Sequence, residues 1–152
     1  DAAGYDGGPF FSPDGKRITW RSDRHGDSLL QIFVGDLALD EHGTITGLKR
    51  ETQLTDNEHV NWAPFRHPDN SRLVYATSEV GHDNYEVFEI QATGGGKRRI
   101  TSVAGFDGLP AFNPEGTLMI WTSQQGGDGS QLWIAPFDMP ATAAGGKAPT
   151  AR

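Results

Sequence analysis

Oxygen donors recur in this chain at matched positions. Asp6, Asn61 and Asp107 lie 55 and 46 residues apart, and each directly follows an aromatic residue or a valine (Tyr5, Val60, Phe106). Two carboxylates and an amide are the donor types of a hard cation, Ca²⁺ ahead of Zn²⁺. Histidines fall in the same register. His59 stands two residues ahead of Asn61, while His25 and His82 sit in Gly/Asp-rich segments with Asp27 and Asp83; Asp128 occupies a third such segment. Imidazole beside carboxylate binds transition metals or works as a general base. His59 is the leading base candidate, because no turn requires histidine there. His67 and His42 receive no role. The chain has no cysteine, which removes thiol nucleophiles, disulfide scaffolds and zinc fingers together. No nucleophile elbow, phosphate loop, paired-histidine zinc helix or EF-hand loop is present.

The spacing of those residues belongs to a repeat that covers most of the chain. The segment Tyr5-Asp6-Gly7-Gly8-Pro9, continuing to Ser12-Pro13-Asp14-Gly15, returns around Pro64 to Asn70 and again around Pro110 to Gly116. Pro-Asp-Gly is a turn with a mechanism: Pro presets φ, Asp accepts backbone hydrogen bonds, and Gly takes φ > 0. An aromatic follows each second proline by seven residues (Trp20, Tyr75, Trp121) and is expected to pack between units. Each copy then passes through a Gly/Asp/His turn to an apolar strand, starting at Gln31, Glu86 and Gln131. Two copies close on a short polar strand, Gln53-Leu54-Thr55 and Arg99-Ile100-Thr101. The first unit carries extra residues at 41–49, read as a long loop or a small β-excursion around Thr44-Ile45-Thr46. The basic run Lys97-Arg98-Arg99 is expected to form a solvated strand edge.

Four short strands per unit, repeated, are the signature of propeller blades. The expected fold is all-β: a β-propeller with three four-stranded blades, half of a six-bladed ring. The blades span about 5–55, 60–101 and 106–137, with 138–152 a tail or a weak outer strand near Gly146. The run Phe11-Ser12-Pro13-Asp14-Gly15-Lys16, with Ile18, Trp20 and the trailing Gln53-Leu54-Thr55, resembles the TolB-like β-propeller repeat. That resemblance implies a six-bladed ring and a periplasmic or secreted setting. Propeller geometry would line the channel with the first strand of each blade, so that Asp6, Asn61 and Asp107 rim it. The loops bearing His25, His82 and Asp83, together with His59, would share that mouth.

Three blades leave two open faces, so the expected partner is a second copy of the chain or the missing half of a longer one. The acidic balance, 20 Asp and Glu against 13 Lys and Arg, argues against nucleic acid as a partner. No apolar stretch approaches a membrane span of about 20 residues. There is neither a signal-peptide pattern nor an initiator Met, which is expected of a mature or excised segment. Two functions compete. One is a binding or scaffold module for a protein or small-molecule ligand. The other is a metal-dependent hydrolase of esters, lactones or phosphotriesters, similar in architecture and ligand type to six-bladed lactonases, with His59 as base. A propeller half of a larger peptidase-like protein is the third reading.

Overall fold

The Pro-acid-Gly triplets do build reversals, and all three close alike. Gly15, Asn70 and Gly116 adopt left-handed φ of 66°, 66° and 71°, and their N–H groups donate to the carbonyls of Ser12, His67 and Asn113 at 2.8–2.9 Å. Asn serves where Gly is missing because its short polar side chain tolerates that conformation. A computed structural model, describing residues 3–127 and 129–138, shows what these turns connect.

Blade one comprises β1 (Asp6–Phe11), β2 (Arg17–Ser22), β3 (Gln31–Leu39) and β4 (Ile45–Gln53). Blade two comprises β5 (Asn61–Arg66), β6 (Arg72–Thr77), β7 (Glu86–Gln91) and β8 (Arg98–Arg99). The described strands of blade three are β9 (Asp107–Phe112), β10 (Leu118–Ser123) and β11 (Gln131–Pro136). Within each sheet the strands pair antiparallel in chain order. The outer strand sought near Gly146 lies outside the described residues, as does Asp128. The long insertion of unit one is a β-excursion: β3 and β4 run past the rest of the blade as a hairpin, paired out to Leu39 and Ile45.

Each first strand carries a bulge just before its proline. Gly8, Ala63 and Leu109 hold φ of 58°, 49° and 53° at this one repeat position, and the strand register slips there in all three blades. The trailing polar motif also has a definite use. Thr55 and Thr101 accept the N–H groups of Ile32 and Val87 through their hydroxyls, both at 2.8 Å. The preceding Leu54 and Ile100 donate their own N–H groups to the carbonyls of the same two residues.

The core is a pair of seams between blades. Ile32, Val34 and Leu54 of blade one pack on Leu73, Tyr75, Phe88 and Ile90 of blade two. Val74 and Val87, on the opposite face of blade two, pack on Met119, Trp121 and Phe137 of blade three. Blade two is therefore covered on both faces, and every residue of β6 is buried. The outer faces differ. On blade three, Leu132 and Ile134 are 72% and 65% exposed, although their repeat equivalents Ile32 and Val34 are buried.

Lys97, Arg98 and Arg99 are exposed, as expected of a solvated strand edge, and they also pair with Glu79, Glu89 and Glu86, of which Glu86 and Glu89 are buried. Burying a carboxylate is costly unless a cation and hydrogen bonds accompany it, and Arg98 and Arg99 offset that cost. One sequence expectation changes here. His67 gains a role. It is buried, with Nε2 3.0 Å from the Gly116 carbonyl and Nδ1 2.8 Å from the Asp69 carboxylate, and so joins the turn of blade two to that of blade three.

Candidate functional site

The starts of β1, β5 and β9 form one end of the channel side, as the repeat requires. Asp6 and Asp107 each accept an indole N–H at this end. Trp20 Nε1 donates to Asp6 at 3.1 Å, and Trp121 Nε1 donates to Asp107 at 3.2 Å. Asp107 is 2% exposed. Asn61 is fully buried and its amide nitrogen donates to Gln31, Asn57 and the His59 carbonyl at 2.9–3.1 Å. All three expected ligands thus hold hydrogen bonds within the chain, Asp6 while staying exposed and Asn61 and Asp107 while buried. The reason lies in strand two: the aromatics of blades one and three are tryptophans with an indole N–H, and each matching Asp receives it. Blade two has Tyr75, which offers no such donor, and an amide stands in place of the carboxylate.

Burial pushes the Asp6 carboxyl up, but hydrogen bonds from Ser22 and Arg24 and the Arg24 charge outweigh it and hold the group below the ordinary aspartate range.

The histidines divide. His59 and His82 line a shallow cleft of about 510 Å³ with Asp27, Glu58 and Glu79, at the mouth of the seam between blades one and two. His25 turns outward, its ring nitrogen 3.2 Å from Gln53 of β4. Asp83 is exposed on the loop beside His82. The hydrogen bonds that fix His59 use its backbone, with the N–H donating to Asn57 and the carbonyl accepting from Gln31 and Asn61. Among the described residues no group of three or more His, Asp and Glu side chains is placed to share an ion. The described residues of one chain thus assemble no donor set for Ca²⁺ or Zn²⁺, and no catalytic step through a cation is derived.

What the mouth does hold is aromatic. Trp62 lies 6.3 Å from Tyr85 and 6.0 Å from Phe106, ring centre to ring centre, and Tyr85 lies 6.0 Å from Phe106. The Arg21 guanidinium sits 5.6 Å from the Tyr5 ring and 5.9 Å from the Trp62 ring. Residues of all three blades thus meet at one place. A signal for them was present in the sequence: Trp62 breaks the repeat where the other copies have Gly7 and Gly108. At those glycines the Tyr5 and Phe106 rings lie over the backbone, where a Cβ would stand.

Fold and seams define a partial β-propeller with aromatic residues of its blades meeting at one end. Solved structures agree. The chain is 25% identical to TolB from Acinetobacter baumannii, with a TM-score of 0.70, over 88% of this chain and 30% of that one. Against a TolB protein of Agrobacterium tumefaciens the identity is 24% and the TM-score 0.67, over 85% of this chain and 46% of the other. An oligogalacturonate lyase in complex with manganese shares the fold at 19% identity and a TM-score of 0.52, over 91% of this chain and 36% of that one. This chain therefore spans less than half the length of each. No protein-family model matches it. No helix of the described residues is long and apolar enough to cross a membrane.

Proposed function

We propose that this chain is a binding or scaffold module, three blades of a six-bladed TolB-like ring that a second copy completes. One observation carries the reading: the outer faces of blades one and three repeat the residues of the two halves of a seam the chain already forms. Leu132 and Ile134 of blade three stand at the repeat positions of Ile32 and Val34, and Ile18 and Trp20 of blade one at those of Leu73 and Tyr75. Ile18, Trp20, Pro9 and Leu48 line an open hollow of about 460 Å³ on the outer face of blade one. Two copies related by a two-fold axis along the channel would close both gaps with that one seam. The channel mouth is the binding face. Resemblance to TolB proteins supports a periplasmic or secreted setting.

Equilibrium sedimentation or native mass spectrometry tests the assembly. The expected mass is twice the 16.5 kDa of one chain. A monomer at micromolar concentration overturns completion by a second copy and assigns the missing blades to further sequence of a longer protein.

A further inference from the structure

Eight arginines lie in the described residues, and six of them have a carboxylate within 4.0 Å. Arg21 and Arg66 are the two without. Arg66 is shut inside, 4% exposed, and donates to the Asn70 carbonyl and the Thr19 hydroxyl. Arg21 is half-buried at the channel mouth. Its Nη2 donates to the Tyr5 hydroxyl at 2.9 Å, while its buried Nε has no partner.

A guanidinium has five N–H donors in a flat fork, suited to stacking on aromatic rings and to binding carboxylate through two hydrogen bonds at once. Two rings hold Arg21, and the left-handed Gly8 leaves it room, since a Cβ at Gly8 would overlap Nη1. An acidic chain that gives most of its described arginines a carboxylate leaves this one, stacked and oriented, without any among the described residues. We propose that Arg21 anchors a site for a small organic carboxylate with a flat apolar face, an acidic sugar or an aromatic acid. The carboxylate would meet the guanidinium edge, and the apolar face would lie against Trp62. The Tyr5 hydroxyl, accepting from Arg21, keeps its own O–H to donate to the ligand.

This inference rests on the channel mouth being the binding face, but it uses residues of blades one and two alone. Calorimetric titration of the full chain with D-glucuronate and with phenylacetate tests it, with galactose and phenylacetamide as uncharged counterparts. Saturable binding of either acid, at least about tenfold tighter than its uncharged counterpart, is the expected result. Whichever acid binds identifies the ligand source. Arg21→Gln should abolish that preference, and Arg21→Lys, which keeps the charge and loses the fork, should weaken binding severalfold with an unchanged melting curve. Equal binding of acid and uncharged counterpart, full affinity in Arg21→Lys, or no saturable binding of either acid overturns the proposal. Acid binding by a monomer overturns completion by a second copy and leaves this site standing; a dimer that binds neither acid does the reverse.

Discussion

Single residues carry most of the difference between what these repeats share and what each blade does. The Asp–Trp pairs of blades one and three are hydrogen bonds in which a carboxylate receives an indole N–H. Removing the acceptor leaves that donor buried and unpaired, at a cost of about 1–3 kcal/mol. Asp107→Ala should therefore lower unfolding free energy by about that amount in a denaturant titration. Unchanged stability would return Asp107 to the channel. Acid sensitivity follows from three aspartates. In Asp6 and Asp69 burial raises the carboxyl, but hydrogen bonds and a nearby cation outweigh it; in Asp14 the Ser12 hydroxyl and the Lys16 N–H dominate. All three are held below their unfolded value. Their contribution is present above about pH 4 and is lost as pH falls through the lowered values. The melting temperature should hold near neutrality and fall below about pH 4, less steeply in Asp14→Asn.

At the scale of strands and turns, close approach decides which residues are tolerated. Gly35 of β3 lies under both Leu48 and Trp20, where a Cβ would stand 2.7 Å from Leu48 Cδ2 and 3.2 Å from the indole. Gly35→Ala should cost about 1–3 kcal/mol by overpacking, read as a lower denaturation midpoint with unchanged slope. The bulge offers the opposite case. Leu109 is half exposed and left-handed, a conformation that costs a residue with a side chain about 1–2 kcal/mol. Leu109→Gly removes that strain and adds unfolded-state entropy, so stability should change by less than about 1 kcal/mol. The repeat also reverses polarity while keeping a contact: Arg24 pairs with Glu51 in blade one, and Glu79 pairs with Lys97 at the same two positions in blade two. The cation lies over Phe33 in one blade and Phe88 in the other. A pair of opposite charges is what the position needs; which strand supplies which sign is free.

For the whole molecule the unmatched faces dominate. Ile134→Lys places a charge on the exposed face of β11 without touching either internal seam. The β-sheet circular dichroism should be kept while the native mass halves; a variant that remains dimeric would show that this face is not the interface. The sequence alone determined the blades, because Pro-Asp-Gly turns, alternating strands and the offset of Trp20, Tyr75 and Trp121 are local chemistry repeated three times. It also placed His59 and His82 on one side. Tertiary structure decided where the acids point and what surrounds Arg21. A strand's side chains alternate between two faces, and which face meets indole, solvent or another blade depends on seams joining residues dozens of positions apart. Arg21 of blade one lies against Trp62 of blade two for that reason, and no spacing within a single repeat encodes that contact; the Asp–Trp contacts, by contrast, recur at a separation of 14 within blades one and three.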